Sequence, residues 1–258
     1  MSFTKNALIT GSTSGIGLGI AKEFAKNGYN LMLNGLEPNG AEIAAQVAAE
    51  FGVKVLFSGA NMLKPEEIQQ MVKTAQTELG GLGVVVNNAG VQFVSPVEDF
   101  PDDKWNLIIG VNLSSTFHVS KAAWNGMKDQ KFGRIINITS AHGLRASAFK
   151  SAYVAAKHGV TGLTKVLALE GAPYNITCNA IAPGYVRTPL VEGQIKDQAK
   201  AHNMSEEEVI EKVMLVKQAI KDFVPIETLA AAALLMASEK AATMTGITLP
   251  IEGGWTSQ

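Results

Sequence analysis

The chain has 258 residues, a formal net charge of -1 and an apolar fraction of 47%. This length and apolar content suffice for one large core, and α/β chains of this size often stay undivided, so we expect a single domain over residues 1–258. The near-neutral charge provides no basic surface for nucleic acid or anionic lipid. We therefore expect a small-molecule partner, with neither nucleic acid nor membrane bound.

The single cysteine, Cys178, excludes a disulfide within the chain. No Cys/His cluster has metal-ligand spacing, so we predict no metal site and place Cys178 in a buried strand. The N-terminus reaches a glycine loop too early for a signal peptide, and the longest apolar run, residues 229–237, is too short to span a bilayer. These features predict a cytoplasmic protein.

Strand-like segments alternate with helix-like segments along most of the chain. The predicted strands are residues 7–10, 31–33, 53–57, 84–86, 134–140, 176–181 and 247–251. The predicted helices are residues 15–27, 41–51, 65–79, 104–128 with a break near Asn112, 151–171 and 229–238. Short apolar strands without polar alternation are typical of a parallel sheet that helices cover on both faces. We therefore predict a doubly wound α/β sheet of the Rossmann type with about seven strands.

Residues 191–221 depart from this alternation because they are charged and helix-prone. An insertion after the C-terminal end of a strand suits a lid over the crevice where open α/β sheets bind ligands. A solvated helical excursion without a role is the alternative. We favour a lid because Pro183, Gly184 and Pro189 stiffen the segment that leads into it.

The first strand is followed by a glycine loop, T-G-S-T-S-G-I-G, at residues 10–17. Gly11 permits a sharp turn, while Gly15 and Gly17 let the backbone approach a pyrophosphate at a helix N-terminus and pack that helix against the sheet. In a strand-to-helix context this loop indicates a dinucleotide.

The positions that select between NAD and NADP carry no cation. NADP needs a positive side chain for its 2'-phosphate, within the glycine loop or just after the second strand. The loop has Ser12, Thr13 and Ser14, and residues 34–37 end in Glu37, which would repel a phosphate. We therefore predict NAD as the cofactor. The usual acidic partner for the ribose 2'-hydroxyl is missing, so Asn34 or backbone groups must replace it.

A hydroxyl, a phenol and ammonium groups are concentrated in residues 140–159. On a helix, Tyr153 and Lys157 share one face, and a nearby ammonium should lower the pKa of the phenol. Tyr153 then exchanges a proton with an alcohol or a carbonyl oxygen, and Ser140, at a strand end, donates to the same oxygen. A Tyr and a Lys four residues apart usually belong to a solvated helix face. In a chain that also has the glycine loop, the pair favours catalysis.

With these motifs in hand, the chain resembles the short-chain dehydrogenase/reductase family over essentially its full length. The matching elements are the glycine loop at residues 10–17, N-N-A-G at 87–90, Asn112 in V-N-L-S, Ser140, Y-V-A-A-K at 153–157 and P-G at 183–184. The resemblance implies NAD(P)-dependent hydride transfer between alcohol and ketone, with Tyr153 as acid/base and Ser140 orienting the substrate. It also implies that Lys157 binds the nicotinamide ribose and that Asn112 anchors a water relay.

The resemblance also implies a set of cofactor-binding residues. These are Gly11, Thr13, Gly15, Ile16, Gly17, Leu36, Asn61, Met62, Asn88, Gly90, Tyr153, Lys157, Pro183, Gly184, Val186 and Thr188. The family commonly has Asp where Asn61 stands, to accept from the adenine amino group. Asn61 can still accept through its amide oxygen, so adenine binding should weaken without being lost. Leu36 offers an apolar surface to the ring.

A narrower resemblance is to the D-3-hydroxybutyrate dehydrogenases within that family. It rests on Gln92, His142, Lys150, Gln194 and Trp255, whose equivalents there hold the substrate carboxylate or close its pocket. A hydroxy acid this small offers only a hydroxyl, a methyl and a carboxylate, so its orientation depends on fixing the carboxylate. We expect NAD-dependent interconversion of D-3-hydroxybutyrate and acetoacetate.

Two kinds of rival remain open. A 3-oxoacyl-thioester reductase, or a dehydrogenase of another short hydroxy acid, would share the fold and reacting groups; a non-catalytic NAD-binding protein would share only the fold. Assembly is indicated by the helix at 151–171, which is apolar or small almost all round, more than one buried stripe needs. The family resemblance implies a homotetramer.

Overall fold

The structure, a computed structural model, describes residues 5–257, without the side chains at 190, 197, 198, 201 and 202. Seven parallel strands form one sheet in the order β3-β2-β1-β4-β5-β6-β7. The strands are β1 Asn6–Ile9, β2 Asn30–Asn34, β3 Val55–Ser58, β4 Val84–Asn87, β5 Gly133–Ile138, β6 Ile176–Pro183 and β7 Thr248–Ile251. The predicted doubly wound α/β fold is confirmed.

Nine α-helices flank the sheet in the described part of the chain. They are α1 Gly15–Lys26, α2 Gly40–Phe51, α3 Pro65–Leu79, α4 Asp102–Ile109, α5 Ser115–Asp129, α6 Ser151–Gly171, α7 Pro189–His202, α8 Glu206–Val209 and α9 Ile226–Ala237. None of these helices combines the length and the apolar character that crossing a lipid bilayer requires.

Helices cover both faces of the sheet, and for this reason the central strands show no polar alternation. Every residue of β1, β4, β5 and β6 is buried. One core cluster packs α1 and α9 on the sheet around Phe24 and Leu229; the other packs α3 and α5 around Met71 and Val119. Cys178, in β6, is buried in the second cluster, as its sequence context predicts.

Two element boundaries differ from the sequence prediction at functionally important places. β5 ends at Ile138, so Ser140 lies beyond the strand, although its backbone is still extended, with φ -171° and ψ 163°. The predicted break near Asn112 is a π-helical segment, Gly110–Ser114, that joins α4 to α5 without ending the helix. The last helix also begins earlier than predicted, at Ile226 directly after Pro225.

The carboxyl ends of all strands meet at one edge of the sheet. β1 and β4 are neighbours there although two β-α units separate them in sequence, which makes their edge the topological switch point. Ligands of open α/β sheets bind in the crevice at such a point. The fold therefore brings together the segments that follow β1, β4, β5 and β6.

The segment predicted as a lid is helical, as its composition indicates. It contains α7, α8, a π-helical turn at Ile210–Met214 and a 3-10 turn at Leu215–Lys217. Ile195, Val209 and Met214 are buried in a small core of its own. Gln218 joins the end of this segment to the end of β6, since its buried side chain accepts a hydrogen bond from the Tyr185 N-H at 3.3 Å.

Candidate active site

A cavity of about 520 Å³ opens at the carboxyl edge of the sheet. Its walls come from the segments that follow the first six strands, together with α6, α7 and the C-terminal Trp255. The lining combines the glycine loop after β1 with titratable and aromatic side chains such as Lys150, Tyr153 and Trp255.

Ser140, Tyr153 and Lys157 all line this cavity. Because α6 begins at Ser151, Tyr153 lies in its first turn and Lys157 one turn later, with Nζ 5.6 Å from the centre of the phenol ring. Lys157 Nζ donates a hydrogen bond to the Ile138 carbonyl at 2.8 Å, which fixes the ammonium against the end of β5. The hydroxyl of Ser140 is hydrogen-bonded to the phenol.

The pKa of Tyr153 moves in the direction opposite to the one predicted. Burial raises it above the usual value for a phenol, and the hydrogen bond with Ser140 offsets this only in part. Burial also lowers the pKa of Lys157 to about 8, so its ammonium is still mostly charged at neutral pH. The protein alone therefore holds Tyr153 protonated, in the form that donates a proton to a carbonyl oxygen.

His142 connects Ser140 to the rest of the cavity wall. Its backbone N-H donates to Ser140 Oγ at 3.1 Å, and its Nδ1 and Nε2 lie 3.4 Å from Ser140 Oγ and 3.1 Å from Ser147 Oγ. The ring packs edge-on against Trp255, with centroids 4.8 Å apart. Burial, with smaller contributions from Lys150 and nearby cations, lowers its pKa to about 3, so the imidazole is neutral at physiological pH.

Lys150 is a largely desolvated cation in the cavity wall. Burial first and Lys217 second lower its pKa to about 8, and it forms no ion pair with any described residue. A buried charge without a fixed counter-ion is costly. Gln92 Nε2 is also buried in this wall without a hydrogen-bond partner among the described residues. Two donors in the cavity lining therefore lack acceptors among the described residues, an arrangement that suits an anionic ligand.

Gln194, from α7, and Trp255 also line the cavity. All five residues predicted to bind the substrate thus line the cavity, and His142 among them contacts Ser140, Tyr153 and Trp255. The described residues include no group of three or more His, Cys, Asp or Glu side chains that could hold a metal ion.

The part of the cavity next to the glycine loop fits a dinucleotide. Gly11 and Gly15 have φ of +59° and +53°, and a Cβ on Gly11 would lie 2.9 Å from Ala89 Cα. At the start of α1, Ser14 makes no side-chain cap and no acidic residue occupies the first turn. The first helical N-H groups are thereby left to an anion such as a pyrophosphate.

Most of the predicted cofactor-binding residues line the cavity. They are Gly11, Gly15, Ile16, Leu36, Asn61, Met62, Asn88, Gly90, Tyr153, Lys157, Pro183, Gly184, Val186 and Thr188. The amide oxygen of Asn61 already accepts from the Leu63 N-H at 2.9 Å, and a carbonyl oxygen retains a second lone pair for another donor.

Three of the predicted site residues are not part of the cavity lining but support it from behind. The hydroxyl of Thr13 donates to the Glu37 carboxylate. A Cβ on Gly17 would lie 2.2 Å from the Gly11 carbonyl oxygen, so this glycine serves close packing of the loop. Asn112 Oδ1 accepts from the Val91 N-H at 2.8 Å and its Nδ2 donates to the Val91 carbonyl at 2.9 Å. These residues shape the cavity from outside it.

Asn34, predicted to replace the missing acidic residue, lines the cavity. It is buried, and its amide group bonds the Gly11 N-H at 3.3 Å and the carbonyls of Ser58 and Ala60 at 3.1 and 2.9 Å. Its side chain thus joins the loops after β1, β2 and β3. Glu37 lines the cavity as well.

Tyr185 is a cavity residue that the sequence analysis missed. Its ring lies parallel to that of Trp255 with centroids 6.4 Å apart, and Lys150 Nζ lies 5.8 Å from its centre. The sequence feature that could have identified Tyr185 is its position directly after the P-G pair at the end of β6.

Comparison with known proteins agrees with this geometry. The sequence profile of the short chain dehydrogenase family matches residues 5–199. A D-beta-hydroxybutyrate dehydrogenase of Rhizobium meliloti (strain 1021) is 52% identical over 257 residues, which cover 99% of this chain and 100% of that protein. Another from Cupriavidus necator is 47% identical over 254 residues, 98% of each chain.

The solved structure of an actinorhodin polyketide ketoreductase with NADPH has the same fold, with a TM-score of 0.93 at 30% identity over 100% of both chains. Fold and family together imply a nicotinamide cofactor and a small substrate. On the profile match and the two full-length relatives, the chain belongs to the short chain dehydrogenase family.

Proposed function

We propose that the protein interconverts D-3-hydroxybutyrate and acetoacetate with NAD as the hydride carrier, a reaction between two ketone bodies. The observation that carries the proposal is the unpaired, desolvated ammonium of Lys150 in the wall that also holds Ser140 and Tyr153. The two relatives named D-beta-hydroxybutyrate dehydrogenase support the same substrate.

In the proposed mechanism, recognition of the carboxylate comes first. Lys150 supplies a charge-assisted hydrogen bond, and the unpartnered amide of Gln92 supplies another donor. His142, being neutral, contributes hydrogen bonding without a competing titration. Gln194 and Trp255 enclose the remaining surface of the small acid. Fixing the carboxylate leaves the hydroxyl carbon in one orientation.

Proton transfer is assigned to Tyr153. In reduction the protonated phenol donates its proton to the carbonyl oxygen. In oxidation the phenol must first release that proton to solvent, and the phenolate, favoured by the charge of Lys157, then takes the hydroxyl proton. Ser140, hydrogen-bonded to the phenol, holds the same substrate oxygen. Lys157, fixed by the Ile138 carbonyl, keeps a positive charge beside the phenol. When bound, the nicotinamide cofactor supplies the hydride acceptor or donor.

NAD, as against NADP, is supported by the charges at the dinucleotide end. Glu37 lines the cavity there and is held by Thr13. Among the described lining residues, lysines occur only at positions 150 and 157, both at the substrate end, and arginines do not occur. A 2'-phosphate would therefore meet a carboxylate and no cation.

The experiment is a rate comparison at the NADH absorbance band. D-3-hydroxybutyrate with NAD should be oxidised much faster than the L enantiomer, the methyl ester of D-3-hydroxybutyrate, or the same acid with NADP. Faster reduction of an acetoacetyl thioester than of acetoacetate, especially with NADPH, would favour a 3-oxoacyl-thioester reductase. A faster reaction with another short hydroxy acid would make that acid the substrate. If none of these compounds is turned over, the remaining interpretation is a non-catalytic NAD-binding protein.

We also propose a homotetramer formed by single-domain subunits in the cytoplasm, each with the lid segment over its cavity. Support for assembly comes from α6, where Val166 and Leu169 are 49% and 79% exposed. Support for the lid comes from Pro189, Val191 and Gln194, which line the cavity from α7.

A further inference from the structure

Lys217 links the lid segment to the loop between β5 and α6. It is the last residue of the 3-10 turn Leu215–Lys217, and its Nζ donates to Ser147 Oγ at 3.4 Å. The same Nζ lies 5.5 Å from the centre of the Trp255 ring. It thus contacts two parts of the chain that are far from it in sequence and that flank the cavity.

Both contacts of Lys217 lead to His142. Ser147 Oγ lies 3.1 Å from His142 Nε2, and the Trp255 ring packs on the edge of the same imidazole. His142 in turn bonds Ser140 Oγ through its backbone N-H. A continuous series of contacts therefore runs from the lid to the hydroxyl that orients the substrate.

We propose that Lys217 is a substrate-positioning residue, which holds Ser147 and the His142 ring in place from the lid and adds a second positive charge to the carboxylate end of the cavity. This inference rests on the proposed function. Lys217 does not line the cavity, so it acts through His142 and through its electrostatic field.

The charge of Lys217 has a separate consequence at Lys150. The titratable groups that interact with Lys150 are His142 from the loop after β5, Tyr185 from the end of β6 and Lys217 from the lid; Tyr153 lines the same cavity, and His158 from α6 acts on His142. Lys217 is the charged neighbour that helps to lower the pKa of Lys150, second to burial. Removing the charge should raise that pKa and extend carboxylate binding to more alkaline pH.

The test compares Lys217→Gln with Lys200→Gln, a control that removes a different lysine charge from the lid. For K217Q we expect KM for D-3-hydroxybutyrate to rise about 5- to 20-fold at neutral pH, with kcat within about twofold of wild type. The alkaline rise in KM should shift to higher pH, and KM for the methyl ester, which lacks the charge but still meets His142 and Ser140, should rise much less than KM for the acid. Lys217→Arg should restore most of the affinity, because it keeps the charge and a donor.

The outcomes separate the two proposals. Wild-type protein that does not oxidise D-3-hydroxybutyrate would overturn the proposed function, and this inference with it. Active wild type together with K217Q of unchanged KM and unchanged pH profile would overturn the inference alone. An equal rise in KM for the acid and its methyl ester would show a general loss of cavity shape, and it too would contradict substrate positioning by charge.

Discussion

Lys150 shows how a residue's function can oppose the stability of the fold. Its ammonium is desolvated, lies near Lys217 and has no described carboxylate as a partner. Because the pKa is lowered from 10.5 to about 8, the charged form is disfavoured in the folded state relative to the unfolded state. The residue therefore costs stability below about pH 8, and this cost is relieved as the pH rises from there towards the unfolded pKa.

Replacing Lys150 with Met should stabilise the protein without ligand and impair substrate binding. At pH 7 we expect a gain of about 1–2 kcal/mol in the free energy of unfolding, because the methionine needs no hydration. The gain should shrink above about pH 8. Denaturant unfolding at several pH values measures this, and KM for D-3-hydroxybutyrate should rise at least about tenfold. Loss of stability with an unchanged KM would contradict carboxylate recognition by this residue.

Replacing Tyr153 with Phe removes the group to which we assign proton exchange. Turnover should fall by about 10²- to 10⁴-fold. Binding of NADH should stay within about twofold of wild type, since the ring and Lys157 are retained. Steady-state rates and a fluorescence titration with NADH measure the two effects. Turnover close to that of wild type would eliminate Tyr153 as the acid/base.

At the residue scale the sequence predicted which types of side chain line the cavity better than it predicted their pKa values. The spacing of Tyr153 and Lys157 on a helix is local information, and the structure has it as predicted. The rise in the pKa of Tyr153 depends on burial by distant segments, which the spacing does not contain. The same holds for Thr13, whose hydroxyl faces Glu37 only because two strand ends meet.

Among the elements, the helix that contains Asn112 departs from regular geometry for an identifiable reason. The segment Gly110–Ser114 is π-helical, and Asn112 in its middle makes both side-chain hydrogen bonds to the Val91 backbone. π-bulges are frequent at functional sites. The sequence indicated an interruption near Asn112, but the backbone to which Asn112 is hydrogen-bonded is 21 residues away, beyond any local pattern.

Replacing Asn112 with Ala should move the cavity wall at Val91 and Gln92. The variant leaves one backbone donor and one acceptor of Val91 without partners, at a cost of about 2 kcal/mol or more. We expect a lower free energy of unfolding and a lower kcat/KM. Ser115→Ala is the matched control, because the Ser115 hydroxyl bonds only to the Val111 carbonyl of its own helix. Equal effects in the two variants would assign no special role to the contact with Val91.

For the whole molecule, the order of strands and helices could be predicted from the apolar segments that alternate along the chain. This was possible because short apolar strands between helices are the main sequence requirement of a parallel sheet covered on both faces. The internal core of the lid was not apparent, since Ile195, Val209 and Met214 pack together only after the segment folds back. The sequence indicated exposed apolar positions on α6, because this helix is apolar or small on more of its surface than one buried stripe needs. We propose that a second subunit covers them.

Replacing Leu169 with Glu should weaken that assembly. The side chain is 79% exposed in the subunit, so the fold itself should tolerate the change while a buried contact between subunits would not. Sizing chromatography with light scattering should show tetramers for wild type and smaller species for the variant. Gln70→Glu, an equal change in charge on an exposed position of α3, should remain tetrameric. A monomeric wild type would exclude the tetramer.

The position of Cys178 also makes the molecule convenient to label. It is the single thiol of the chain, it is inaccessible within β6, and burial raises its pKa to about 12, so almost no thiolate forms near neutral pH. A maleimide dye added to a variant with one new surface cysteine would therefore report from that site only. Placed on α7, such a probe would follow whether the lid changes its distance from the sheet as substrate arrives.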